Sequence, residues 1–183
     1  DRFCPHFHVP LQSGSDSILK AMRRRYTAGA FDKAIALIRK LFPFASITTD
    51  VIVGFPGETD SDFEETYRLC EELKLSKIHV FPYSIRPGTS AAYSPEQVEP
   101  RLIKSRSQKL RLLSNALERQ VREHLIGSQR LVLWESMQMV GGEKIWSGLT
   151  EDYIRAKTVS ARELKGLVTP AEFVTTERVI IAD

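Results

Sequence analysis

The stretch Ile47 to Thr59, ITTDVIVGFPGET, decides the fold. Ile47, Thr49, Val51 and Val53 alternate with Thr48, Asp50, Ile52 and Gly54, which is the period of two of a β-strand with one oily face. Strands of a parallel sheet are normally apolar on both faces, so Thr48 and Asp50 are expected to face water, a ligand or other polar side chains. Gly54-Phe55-Pro56-Gly57 stops the strand, and Ser61 with Glu64 fits a capping box that opens a helix. This is half of a βαβ unit, with its turn at the carboxyl end of the strand, where α/β sheets and barrels hold their ligands.

The same reading extends in both directions. Residues 6 to 12, HFHVPLQ, alternate as a first strand, and Ser13-Gly14-Ser15-Asp16 forms a turn offering a helix N-cap to the short stripe Ile18, Ala21 and Met22. Thr27 caps a helix whose Phe31, Ile35, Ile38 and Phe42 repeat at helical spacing until Pro43 ends it. The helix from Ser61 to Leu73 carries Phe63, Thr66, Tyr67, Cys70 and Leu73 on one stripe, with Cys70 as a small buried hydrophobe. Lys77 to Ser84, KIHVFPYS, is a third strand loosened at Pro82, which has no N–H to give. An irregular loop follows to Pro100, and from Arg101 a long helix with Leu110, Leu113, Leu117 and Val121 runs to near Gly127. Beyond it, five short β-like runs without helices read as a small antiparallel barrel of the oligonucleotide-binding type. Two domains are expected, 1–124 and 125–183.

A length of 183 residues allows one good core or two modest ones. No stretch approaches a membrane span or a signal peptide, so a cytoplasmic location is expected. Two cysteines, Cys4 and Cys70, give neither a disulfide framework nor a metal site. The net charge of +3 is uninformative, but its distribution is not. Arg101 to Arg130 carries eight Lys or Arg against Glu118 and Glu123, whereas residues 131 to 183 carry six against eight acids. A polyanionic partner would meet the long helix first.

Three strands separated by helices imply a parallel sheet with right-handed crossovers. Each has one oily face and one bearing His, Gln, Thr, Asp or Tyr, which a curved barrel wall with a polar lumen accommodates at less cost than a flat sheet covered on both sides. Three strands cannot close a barrel, so the expected architecture is α/β, a partial (β/α) barrel followed by the small β-barrel.

HVPLQSGSDSILKAMRRRYT (residues 8–27), TTDVIVGFPGETDSDFEET (48–66) and HVFPYSIRPGTSAA (79–92) resemble the second half of the radical S-adenosylmethionine domain of the methylthiotransferase family, strands four to six of its six. The tail, including WSGLTEDYIRA (146–156), is similar to that family's terminal TRAM domain, and the wording of the third motif is closest to the enzymes acting on N6-threonylcarbamoyladenosine in tRNA. The resemblance implies methylthiolation of a tRNA adenosine beside the anticodon, with S-adenosylmethionine, two 4Fe-4S clusters and an electron-supplying reductase; the alternatives are the same chemistry on the i6A nucleoside of tRNA or on a ribosomal protein, and an RNA-binding module without catalysis. The family's Cys-x-x-x-Cys-x-x-Cys triplet is missing, and a cluster needs three or four thiolates around one centre. The expectation is a truncated piece of a longer enzyme, inactive by itself and prone to self-association through its open side.

By that resemblance Gln12, Ser13 and Arg24 contact the ribose and amino-acid portion of S-adenosylmethionine, where a guanidinium can grip a carboxylate and an amide or hydroxyl can bond a ribose. Ile52 is expected to pack on adenine beside Phe55. Gly54 either admits a ligand close to the backbone or simply makes the turn. Phe81 and Tyr83 shape a nucleobase pocket at the mouth of the third strand, with core packing the alternative for Phe81. Asp50 contacts substrate or pairs with His8 or Arg86 inside the lumen, and Arg86 is a further substrate contact. Glu58 reads as turn and cap chemistry. Arg106, Lys109 and Arg130 are assigned to RNA phosphates, and Trp146 and Tyr153 either stack on bases or fill the barrel core. His6, His8 and His79 are set aside as metal ligands because no acid or cysteine nearby is expected to complete a ligand set and lumen histidines commonly just satisfy hydrogen bonds.

Overall fold

The computed structural model describes residues 3–181. The chain forms two compact units, Phe7–Glu118 and a second made of Arg119 onward together with the residues up to His6. The division lies inside the long helix, a little before the position read from the sequence.

The first unit is a three-stranded sheet in the order β1 (His6–His8), β2 (Ser46–Val53), β3 (Lys77–Pro82). Strands β2 and β3 run parallel with Asp50 beside His79 and Ile52 beside Phe81. The face read as oily is wholly enclosed at Ile47, Thr49, Val51 and Val53, while on the other face Thr48 is also buried and Asp50 and Ile52 are half-buried. Ile47, Val51 and Val53 pack against Phe31 and Ile35 of α2 (Ala28–Leu41), Phe63 and Cys70 of α3 (Asp60–Glu72), and Leu110, Leu113 and Leu117 of α4 (Pro100–Leu125). Each such buried aliphatic side chain contributes about 1.5–3 kcal/mol relative to exposure. Ser114 of α4 fastens the helix to β3 by accepting the Ile78 N–H at 3.0 Å and donating to the Ile78 carbonyl at 3.1 Å.

Two local expectations change. The first strand does not run unbroken from 6 to 12; β1 ends at His8, and pairing resumes only at a bridge between Gln12 and Val51. Pro10 has no N–H, and the buried Thr49 hydroxyl fills the interruption, donating to the Val9 carbonyl at 2.6 Å and accepting the Leu11 N–H at 2.9 Å. The capping box of α3 is Thr59 with Asp62 rather than Ser61 with Glu64: the Asp62 N–H donates to the Thr59 hydroxyl at 3.2 Å and the Thr59 N–H to the Asp62 carboxylate at 2.9 Å. Thr59 comes directly after the Gly57 turn, so the helix starts at the first residue able to cap it. The cap of α2 is Thr27, as read, accepting the Ala30 N–H. Between Gln12 and Thr27 lies the short α1 (Asp16–Ala21).

The second unit is a five-stranded antiparallel sheet in the order β6 (Arg155–Val159), β5 (Glu143–Thr150), β4 (Gln129–Val140), β7 (Val168–Phe173), β8 (Val179–Ile181). Its outer strands meet at a bridge between Lys157 and Arg178. Trp134, Trp146, Phe173, Val132 and Leu164 fill the inside. The β4–β5 hairpin turns at Gly141-Gly142, both at positive φ, as a two-residue turn of this hand demands. Both strands run longer than their apolar stretches, because Ser136 to Val140 pair with Glu143 to Ser147 while remaining exposed. Gly148 faces Leu133 so closely that an added Cβ would lie 2.4 Å from its carbonyl oxygen. No helix among the described residues is long and apolar enough to cross a membrane.

Candidate functional site

A cleft of about 530 Å³ opens at the carboxyl ends of the three parallel strands. Gln12, Asp50, Ile52, Phe81 and Tyr83 come to it from strand ends, and Phe55 from the turn after β2. Arg23 and Arg24 reach it from the end of α1 and Arg86 from the loop after β3. Backbone geometry is spent on this convergence. Gln12 has φ 67° and Arg23 φ 58°, left-handed conformations that cost a non-glycine residue about 1–3 kcal/mol and that collect at ligand sites. Gln12 is held there by its N–H donating to the Asp50 carbonyl at 2.8 Å and its carbonyl accepting the Ile52 N–H at 2.9 Å. Tyr26 secures the preceding residues, its hydroxyl donating to the Pro10 and Leu11 carbonyls at 3.0 and 3.1 Å, and burial raises its pKa against the pull of Arg24.

The cleft thus collects eight of the residues singled out in the sequence, Gln12, Arg24, Ile52, Phe55, Phe81, Tyr83, Asp50 and Arg86. Ser13 and Gly54 fall outside it. Ser13 is buried and bonded to the Thr66 hydroxyl at 3.2 Å. Gly54, at φ 79°, turns its Cβ position towards α4, where an added Cβ would meet the Ile103 side chain, so helix packing and the turn both require the glycine. Arg23 enters the cleft unforeseen, since nothing in the sequence marks an arginine for a left-handed conformation.

The RNA assignments separate in a similar way. Arg106 is 7% exposed and lies between Glu58 Oε1 and Asp60 Oδ1, both at 2.6 Å, so it is a buried structural cation rather than a phosphate contact. Burial lowers its pKa, but the bonds to Asp60 and Glu58 win and hold it raised. Glu58, read as turn chemistry, also accepts the Gly54 N–H at 3.0 Å, and burial raises its pKa against those partners. Lys109 pairs with Glu64 at 3.0 Å and sits over the Tyr67 ring. Trp146 is 1% exposed and gives its indole N–H to the Ser160 carbonyl, which makes it core and not a stacking platform. Tyr153 is 59% exposed and stacks on His6 of the same unit with centroids 4.5 Å apart. Arg130 Nε lies 3.8 Å from Asp152.

Inside the strands, His8 takes the pairing expected for Asp50: Nε2 is 3.3 Å from Asp50 Oδ2, and Nδ1 is 3.0 Å from Thr48 Oγ1. His79 joins them from β3, so the acid missing beside the histidines in sequence is supplied by strand register.

The Tyr83 hydroxyl is buried without a hydrogen-bond partner among the described residues, and the Phe55 ring meets Tyr83 edge-on at 5.5 Å. An arginine-rich cleft with a buried hydroxyl and flat apolar surfaces, set at the strand ends of an α/β domain, has the chemistry to suit an anionic or zwitterionic ligand carrying an aromatic base. Residues 2–70 match the Radical SAM superfamily. Threonylcarbamoyladenosine tRNA methylthiotransferase MtaB of Thermotoga maritima is 40% identical over 161 residues, 88% of this chain and 36% of the relative. The protein of that name from Bacillus subtilis is 36% identical over 92% of this chain and 38% of its own length. tRNA-2-methylthio-N(6)-dimethylallyladenosine synthase of Pelotomaculum thermopropionicum is 44% identical over 73% of this chain and 30% of the relative. Coproporphyrinogen III oxidase (HemN) of Escherichia coli, a radical SAM enzyme, shares the fold with a TM-score of 0.54 at 15% identity, covering 80% of this chain and 41% of that one. The chain belongs to the radical S-adenosylmethionine methylthiotransferase family. It spans 30% to 38% of the length of these curated relatives.

Membership implies S-adenosylmethionine and iron–sulfur chemistry. The cleft fits the former: guanidinium groups suit its carboxylate, the orphan hydroxyl suits its polar atoms, and Ile52 and Phe81 offer faces for its base. The chain does not fit a cluster. Cys4 is exposed, Cys70 is enclosed in the core with its thiol pushed up to about 12 by burial, and two cysteines are all the sequence has.

Proposed function

We propose that this chain provides the S-adenosylmethionine cleft and an RNA-contacting unit of a tRNA methylthiotransferase, acting on N6-threonylcarbamoyladenosine together with a cysteine-bearing part that holds the clusters. The observation that carries the reading is the meeting of all three sequence motifs in one arginine-rich cleft at the strand ends. When bound, the cofactor supplies the radical chemistry. This chain's residues bind and orient it. Arg23 and Arg24 neutralise its carboxylate, Tyr83 gives its buried hydroxyl a partner, and Ile52 and Phe81 cover the base and keep water from it. The threonylcarbamoyl substrate is favoured by coverage, since the relatives named for it match 88% and 92% of this chain against 73% for the dimethylallyl enzyme, while identity, 40% and 36% against 44%, leans the other way.

The C-terminal sheet, whose outer strands meet, supports an OB-like, TRAM-type module, with Arg130 and the exposed Tyr153 as its RNA contacts. Such contacts weaken steeply with salt. The setting would be cytoplasmic, with a reductase as electron donor.

Calorimetry of S-adenosylmethionine binding tests the cleft: wild-type chain should bind, and Arg24→Gln and Tyr83→Phe should each bind about tenfold more weakly. Mass spectrometry of tRNA nucleosides from a strain lacking the gene tests the substrate. Loss of the methylthio group from threonylcarbamoyladenosine supports the reading, and loss from dimethylallyladenosine alone moves the chain to the other branch.

A further inference from the structure

We propose that His8, Asp50 and His79 form a binding site for one divalent transition-metal ion of the zinc type, separate from cluster chemistry and independent of the cofactor reading above. The three residues come one from each strand of the parallel sheet, and their ligand atoms all lie within 4.8 Å of one another. Asp50 and His79 are register partners on β2 and β3 and so project side by side from one face. His8 Nε2 and Asp50 Oδ2 are 3.3 Å apart, close to the edge of about 3.3 Å that tetrahedral zinc with bonds near 2.0–2.1 Å sets between neighbouring ligands.

The surroundings match those of a metal site as well. In the tautomer that ligates, His8 Nδ1–H donates to Thr48 Oγ1 at 3.0 Å, which fixes the ring and leaves the Nε2 lone pair facing the carboxylate. The half-buried His79 ring has no hydrogen-bond partner among the described residues, and its centroid stands 5.8 Å from that of His8. In that tautomer two acceptors, His8 Nε2 and Asp50 Oδ2, face each other beside an unengaged imidazole, and a cation resolves all three; with the proton on Nε2 instead, His8 donates to Asp50 and the cation is excluded.

Two imidazoles and one carboxylate make a borderline donor set that suits zinc, cobalt or nickel. Magnesium and calcium require oxygen ligands. Three protein ligands leave a position for water or for a ligand in the cleft that Asp50 also lines.

Titration of the metal-free 183-residue chain with zinc alone, by calorimetry, should show one ion per chain, and cobalt in its place should give the visible ligand-field bands of low coordination number. His79→Gln and Asp50→Asn should each weaken zinc binding at least about tenfold. Cys4→Ser should leave it unchanged. Absence of stoichiometric zinc binding overturns the proposal. So does binding lost in Cys4→Ser but kept in His79→Gln, or uptake of magnesium and calcium in preference to zinc. Should a variant fail to fold by circular dichroism, anomalous scattering at the zinc edge from wild-type crystals decides, with density between these three side chains expected and density elsewhere refuting it. Zinc binding with no S-adenosylmethionine binding would separate this site from the cofactor reading.

Discussion

The two sheets of this chain treat their polar faces in opposite ways. In the C-terminal unit the sheet curls until its outer strands meet, and even the polar edges of its large aromatics are consumed inside, with Trp134 bonded to Thr169 and Trp146 to Ser160. In the first unit the oily face is sealed by helices, while the other keeps a half-exposed Phe81, the lone Tyr83 hydroxyl and the His8–Asp50 pair beside an open cleft. The strand-borne tryptophans therefore serve stability in one sheet, while the aromatics at the strand ends of the other are held available. Residue type alone does not say which; closure of the sheet does.

That contrast can be tested from its strongest point to its weakest. Trp146→Ala should destabilise the C-terminal unit by about 3–5 kcal/mol, read as a lower urea midpoint, because it empties an enclosed site and strands the Ser160 carbonyl. A loss under about 1 kcal/mol would mean that the sheet is not sealed. Glu58→Ala should cost the first unit about 3 kcal/mol in the same measurement, since it leaves Arg106 only the exposed Asp60 carboxylate and the backbone carbonyl at position 58, and the Gly54 N–H with no side-chain acceptor.

Acid should find a milder weakness in that unit. Burial raises the Asp62 pKa, but hydroxyls of Ser15, Ser17 and Thr59 and the Thr59 N–H bring it from 3.8 down to about 2. Because the folded value lies below the unfolded one, the stabilisation is complete above about pH 4 and is lost as pH falls towards 2. With solvent screening allowed for, the loss is about 1 kcal/mol, and Asp62→Asn should remove that part of the slope in acid denaturation. The smallest stability effect is expected at the opposite pole from Trp146. Phe81→Ala should change stability by no more than about 0.5 kcal/mol, as its ring is 50% exposed, yet weaken S-adenosylmethionine binding. An equal loss of stability at Phe81 and Trp146 would erase the distinction between the sheets. The free edges β1 and β3 supply one more difference: light scattering should show concentration-dependent association.

Much of the first unit was legible because its signals are periodic and local. Ile47 to Val53, the stripe of α3 and the Thr27 cap each depend on a few neighbouring residues, and each has the burial or bond its pattern implied. Most of the cleft was legible too, because the strand-end position of Gln12, Ile52, Phe81 and Tyr83 follows from knowing where strands stop. What escaped depends on partners distant in sequence. Arg106 is a basic helix residue until Glu58 and Asp60 are set against it, and Trp146 is a stacking candidate until the sheet closes over it. Asp50 completes a cluster with His8 and His79 only once the register of neighbouring strands is known.

The hydroxyl of Thr49, standing in for the ladder bonds that Pro10 cannot make, ties the identities of two distant positions together. Exchanging the threonine for valine keeps shape but leaves a carbonyl and an amide of the first segment stranded in a dry interior; restoring an ordinary residue at 10 would not reclaim them unless the segment straightened. The bend that delivers Gln12 to its place is therefore held by two residues acting together rather than by either alone.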